Sequence, residues 1–279
     1  EIASSDWSSD VCSSDLFYAK QQELSAIRIR ITYCNMETEE LKYFHYEYTI
    51  RELENWFMEI INSYRRWADF QYEWQGLRQQ SIKQLVFPFP YREGQKNLVT
   101  YVYQTIYHRK KLFIEAPTGV GKTISTVFPS IKAMGEGKGQ RIFYLTAKTV
   151  TRTVANDTLE LLRKQMLRLK SVTLTAKDKI CFMEETECNP VDCPYAKGHF
   201  DRINDAIYDL LIHEDNFSRE KIEEYAARHK VCPFEMSLDM SLFADMIICD
   251  YNYLFDPHVY LKRFFSEGVR EDYIFLIDE

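Results

Sequence analysis

The chain lacks any apolar run long enough to cross a bilayer, which takes about 20 residues, and it shows no secretory leader. Both absences argue against a helical membrane protein and lead us to expect a cytoplasmic one. A close C-x2-C pair, the usual mark of zinc ribbons and fingers, is also missing. Seven cysteines in a cytosolic chain do not read as a disulfide framework. Excess positive charge is absent too: the net charge is −7, which does not by itself suggest a nucleic-acid partner. The charge is uneven, however. Residues 138–179 hold ten Lys/Arg against three Asp/Glu, so the remainder stands at −14. That segment reads equally as a polyanion track or as a solvated helix face. What the chain does have is 46% hydrophobic and 15% aromatic residues over 279 positions, enough for about two packed domains.

The organising stretch is Lys111 to Ile124, KLFIEAPTGVGKTI. The apolar run from Lys111 to Glu115 predicts a buried strand, and a helix is expected to open at Lys122. Between them Ala116-Pro117-Thr118-Gly119-Val120-Gly121-Lys122-Thr123 has the spacing of a P-loop, with Ala116 in place of the usual first glycine. Gly119 and Gly121 let backbone N–H groups fold around a phosphate, and the helix start adds its positive end. In this reading Lys122 reaches the β- and γ-phosphates and the Thr123 hydroxyl holds Mg2+. An ordinary glycine-rich turn is the alternative; the order strand, loop, helix favours the phosphate cradle.

Residues 1–16, rich in Ser and Asp and without period, resemble translated sequencing-adapter sequence and are set aside from the fold. Ile27 to Tyr33 and Leu41 to Tyr48 alternate as two strands of a hairpin. Thr49 and Glu52 form a capping box for the helix that follows, and Arg65 to Gln84 reads as a polar helical connector. Residues 17–84 are therefore expected to be the small α+β remnant of an upstream, nuclease-like domain, and 85–279 a second domain. In Pro90-Tyr91-Arg92-Glu93-Gly94-Gln95, Gln95 offers donor and acceptor to an adenine edge and Tyr91 a stacking face. The rival reading is a domain-entry turn.

Beyond the P-loop, strands are expected at Arg141 to Thr146, Ser171 to Thr175, Ala244 to Asp250 and Tyr273 to Ile277, with helices between them. That rhythm means an α/β domain with a parallel sheet. Thr146, Lys148 and Thr149 fall at the carboxyl end of a strand, where ligands bind in such sheets. With Arg152 they suit a phosphodiester backbone. Asp278 and Glu279 end the last apolar run; there Asp278 would hold Mg2+ and Glu279 would polarise an attacking water.

Cys181, Cys188, Cys193 and Cys232 follow the pattern C-x6-C-x4-C-x38-C. Four thiolates suit an iron–sulfur cluster or zinc, and spacing alone does not separate the two. Four independent core cysteines are the third option. Helices expected at His199 to His213 and Ser218 to His229 make 181–232 a helical insert, too small for a good core of its own and expected to lean on a metal centre for stability.

Taken together, PYREGQ, APTGVGKT, LTAKT, the four cysteines, ADMIICDYNYLFDP and FLIDE resemble the XPD/DinG-type superfamily 2 helicases over Phe87 to Glu279. The resemblance implies a RecA-like P-loop motor domain with a helical iron–sulfur insert. It implies ATP and Mg2+ as cofactors and a 4Fe–4S cluster on Cys181, Cys188, Cys193 and Cys232. It also implies 5′-to-3′ unwinding of DNA in repair or replication, with the single strand or fork as partner, and no membrane. The cysteine spacing differs from that of more compact members. The second motor domain lies outside these 279 residues, so the chain alone is expected to be a monomer inactive in unwinding. A P-loop nucleotide-binding protein with structural zinc, and a non-catalytic metal-bound nucleic-acid-binding module, are the competing classes.

Overall fold

The computed structural model describes residues 6–36, 38–117, 119–266, 268 and 271–278, with side chains from residue 13 onward. Thr118 and Glu279, both expected site residues, lie outside the described residues. The chain divides into two compact units, 1–72 and 73–279.

In the first unit, α1 (Asp6–Gln21) precedes a hairpin of β1 (Ala26–Cys34) and β2 (Leu41–Thr49). The hairpin is antiparallel from Ala26 opposite Thr49 to Cys34 opposite Leu41. Its period of two puts Ile27, Ile29 and Ile31 beside Tyr48, Tyr46 and Phe44 on one face. The segment set aside as non-native is partly inside this fold, since α1 starts at Asp6 and Leu16 is buried together with Ala19, Ile29 and Leu53. The capping box forms as expected. The Thr49 N–H donates to Glu52 Oε2 at 2.8 Å, and the Glu52 N–H to Thr49 Oγ1 at 3.3 Å. It opens α2 (Ile50–Gln84), one continuous helix of 35 residues rather than a helix and a connector.

The second unit takes the end of α2, then α3 (Gln95–Tyr107), α4 (Lys122–Gly135), β3 (Arg141–Leu145), α5 (Thr149–Arg163) and β4 (Ser171–Thr173). After these come α6 (Lys177–Ile180), α7 (His199–His213), β5 (Asn216–Phe217), α8 (Arg219–His229), α9 (Pro233–Met240) and β6 (Met246–Cys249). Two short helices, α10 (Asn252–Phe255) and α11 (Lys262–Phe265), lead to β7 (Tyr273–Ile277). The sheet is parallel, in the order β5-β4-β6-β3-β7. This is the parallel α/β architecture the sequence implies. β3 is buried on both faces, which is why its run is apolar throughout. Ile142 and Tyr144 join a core with Val127, Ile131, Leu159 and Ile248. Phe143, one residue out of phase, meets Phe264, Tyr273 and Phe275 on the other face.

One expectation is corrected. Residues 111–115 form no strand: β7 pairs with β3 alone, and Phe113 is 94% exposed. A strand exists through its ladder, and among the described residues this run has no partner strand. The 181–232 insert is joined to the main sheet. Its β5 pairs with β4 in the main sheet, and Ala206, Leu210, Phe217 and Ile222 are fully buried. The buried Lys170 ammonium fastens it further, donating to the Leu211 and Glu214 carbonyls at 2.7 and 2.8 Å and to Asp215 Oδ1 at 3.2 Å. Burial lowers the Lys170 pKa, and the Asp215 carboxylate opposes that shift.

Candidate nucleotide site

The carboxyl ends of β3, β6 and β7 and the loop before α4 supply the expected site residues. Gly119 and Gly121 have φ of +86° and +78°, the left-handed conformation that favours glycine. Gly121 is also held close: a Cβ there would lie 2.9 Å from Gln95 Nε2. Gln95 is 4% exposed, and both ends of its amide are engaged. Nε2 donates to the Val120 carbonyl at 2.9 Å, and Oε1 accepts the Arg92 N–H at 3.1 Å. The Arg92 guanidinium donates to the Gly119 carbonyl. The Pro-Tyr-Arg-x-x-Gln segment therefore clasps the glycine loop through the Gly119 and Val120 carbonyls. Tyr91 stacks on Phe87 with ring centroids 4.4 Å apart and remains exposed. Lys122 is exposed and donates to the Ala116 carbonyl at 3.2 Å, across the mouth of its own loop.

Asp278 is hydrogen-bonded to a residue that sequence reasoning missed, Tyr144. Its hydroxyl donates to Asp278 Oδ2 at 2.5 Å. Burial, and then the bond to Asp278 and its charge, push the Tyr144 pKa up, while the Thr123 side chain pulls it back. A threonine hydroxyl and a carboxylate are hard oxygen donors of the kind that suits Mg2+. Tyr144 escapes detection in the sequence because it reads as one more apolar position of a buried strand.

Among the expected DNA contacts, Lys148 and Thr149 are exposed at the start of α5. Thr146 is buried, and its hydroxyl accepts the Lys148 N–H at 3.3 Å. Arg152 is committed to Asp250 at 3.0 Å. Within the basic segment 138–179, three of the cations are taken up internally. Arg163 donates to the Leu169 and Asp215 carbonyls, Arg141 to those of Ser241 and Ala244, and Lys170 is buried.

The four cysteines are all free thiols: Cys193 is buried, Cys181 and Cys232 half-buried, and Cys188 exposed. Among the described residues no group of three or more His, Cys, Asp or Glu is arranged to hold a metal. Two sulfurs nonetheless receive backbone donors. Cys181 Sγ accepts the Met183 N–H at 3.5 Å, and Cys232, at the start of α9, accepts those of Glu235 and Phe234. Burial raises the Cys232 pKa, those two N–H groups pull it down, and Glu235 and Cys181 add to the rise. The Lys177 pKa is raised, chiefly by a hydrogen bond to Cys188. Cys249 is buried in β6, its pKa pushed up to about 12 by desolvation, as befits a core residue. Among the described residues no helix is long and apolar enough to cross a membrane.

Residues 159–279 match the DEAD_2 family model. Over 113 residues, 40% of this chain and 17% of the relative, the sequence is 32% identical to a probable ATP-dependent helicase of Methanocaldococcus jannaschii. Over 49 residues, 18% of this chain and 6% of the relative, it is 37% identical to a subunit of Dictyostelium discoideum: the general transcription and DNA repair factor IIH helicase subunit XPD. The matches thus span a minor part of either curated relative. Among solved structures, an XPD helicase aligns with a TM-score of 0.48 at 20% identity, over 67% of this chain and 32% of that chain. A truncated XPD aligns with a TM-score of 0.45 at 20% identity, over 67% and 52%.

Proposed function

We propose, from the match of residues 159–279 to the DEAD_2 family model and the similarity to the two curated helicases, that this chain carries the nucleotide-binding motor domain of an ATP-dependent DNA helicase. The observation that carries the reading is the pair of left-handed glycines ahead of Lys122 and Thr123, together with the Asp278 carboxylate held by the Tyr144 hydroxyl at the end of β7. In this reading Gly119 and Gly121 present backbone N–H groups to the phosphates, and Lys122 exchanges the Ala116 carbonyl for β- and γ-phosphate oxygens. Thr123 and Asp278 hold Mg2+, which when bound neutralises charge developing on the terminal phosphate. Tyr91 offers its exposed ring to the base. Gln95 keeps the adenine edge as its proposed partner while its amide orders Val120. Glu279 keeps its proposed role of polarising the attacking water.

For the protein as a whole we propose 5′-to-3′ unwinding of DNA, with Lys148 and Thr149 as the single-strand contacts on this domain. We also propose a 4Fe–4S cluster on Cys181, Cys188, Cys193 and Cys232. Four free thiols, two of them accepting backbone N–H bonds, support that donor set, since such bonds tune cluster ligands. No step of the motor cycle is assigned to the cluster. Anaerobic purification should give iron and visible absorption, both lost in Cys193→Ser. Stoichiometric zinc in colourless protein would contradict the assignment.

The nucleotide reading is tested by labelling the chain with a photoreactive azido-ATP. Labelling should be competed away by ATP with Mg2+. Labelling that ATP leaves unchanged would overturn the proposal.

A further inference from the structure

A buried tyrosine needs a partner for its hydroxyl, and a phenylalanine would fill the same apolar layer without one. Tyr144 is 1% exposed on β3, in the core that includes Ile142, Ile248 and Ile274. The β3–β7 register sets Tyr144 beside Leu276, and the strand period of two returns Asp278 to the same face. The main chain of Asp278 is fixed independently. Its N–H donates to the Leu145 carbonyl at 3.0 Å, and its carbonyl accepts the Tyr251 hydroxyl at 2.5 Å. What remains free is rotation of the Asp278 carboxylate, and the 2.5 Å bond from Tyr144 removes that freedom.

We infer that Tyr144 is a positioning residue for the metal-nucleotide site: its hydroxyl ties down Asp278 Oδ2 and leaves Oδ1 as the oxygen that would serve Mg2+. The inference rests on the nucleotide-binding reading and adds to it a residue of β3 that touches neither nucleotide nor metal. It also explains why an otherwise apolar central strand carries a hydroxyl at this position. The effect is confined to the metal-dependent part of nucleotide affinity, because the phosphate loop itself makes no use of Asp278.

The test is a titration of the whole chain with a fluorescent ATP analogue, in Mg2+ and in EDTA, with thermal unfolding followed in parallel. In Tyr144→Phe the gain in affinity brought by Mg2+ should shrink by about tenfold, the worth of one charge-assisted hydrogen bond. Affinity in EDTA should hold. Asp278→Asn should lose the Mg2+ gain, and adding Tyr144→Phe to it should cost nothing more, since the hydroxyl acts through that carboxylate. An unchanged Mg2+ gain in Tyr144→Phe overturns the inference. So does an equal loss with and without metal, which is the mark of a packing role. If Lys122→Ala binds as well as the wild type, the underlying nucleotide reading fails instead, so the two failures are distinguishable.

Discussion

Gly135, the last residue of α4, packs so closely on Ile82 of α2 that a Cβ at residue 135 would lie 2.4 Å from Ile82 Cγ2. Lys132 seals the same junction, its ammonium donating to the Ile82, Lys83 and Leu85 carbonyls at 2.9, 3.2 and 3.3 Å. Alanine in place of a helical glycine ordinarily adds about 1 kcal/mol of stability. Here overpacking against a buried side chain costs about 1–3 kcal/mol, so Gly135→Ala should destabilise on balance. Denaturant unfolding checks this, and Gly135→Ala with Ile82→Ala should lose less than the two single changes together.

Lys170 holds the α7–β5 turn to the main sheet through three acceptors while 1% exposed. Lys170→Met keeps the bulk but removes the ammonium from two carbonyls and leaves the Asp215 carboxylate to Arg168. A loss of about 3 kcal/mol is expected, read from the urea midpoint. Hydrogen exchange should show the loss concentrated at residues 210–217.

Glu52 titrates into the helix cap. Hydrogen bonds from the Thr49 backbone and then from its side chain lower the Glu52 pKa. A carboxylate depressed in the folded state stabilises above its unfolded pKa, about 4.3, and that contribution disappears as pH falls through the folded value. The α2 start should therefore loosen on acidification. Glu52→Gln should flatten this part of the pH dependence, followed by helix content between pH 6 and pH 3, the range set by about 4.3 for a free glutamate. Thr49→Ala should cost about 1 kcal/mol.

Lys148 and Arg152 separate two roles for positive charge. Lys148 is exposed, whereas Arg152 is spent on Asp250. Lys148→Ala should weaken single-stranded DNA binding and lower the salt slope by about 0.7. Arg152→Ala should chiefly lower the melting temperature. Equal effects of both on the salt slope would put Arg152 on the DNA as well.

Elements whose pattern is local were legible in the sequence. The hairpin shows its period of two, the Thr49–Glu52 box its spacing, and the apolar runs of β3 and β6 their burial on both faces. Elements that depend on a distant partner were not. Residues 111–115 have a strand's composition but no ladder, and the two residues of β5 are too short to carry any period. Lys170 and Arg163 look like surface charges until Asp215 and the carbonyls around it come into contact. Likewise, the spacing to the phosphate loop marks Gln95 as a site residue, yet it cannot reveal that its amide binds Val120.

The central claim is that the loop ending in Lys122 and Thr123, with Asp278 opposite, holds a magnesium nucleotide. Calorimetric titration of the 279-residue chain and of Lys122→Ala with a non-hydrolysable ATP analogue in Mg2+ tests it most directly. The account predicts saturable one-site binding by the wild type and at least about tenfold weaker binding by the variant, the loss of one charged phosphate contact. Equal affinity in the two proteins, or no binding by either, would contradict it.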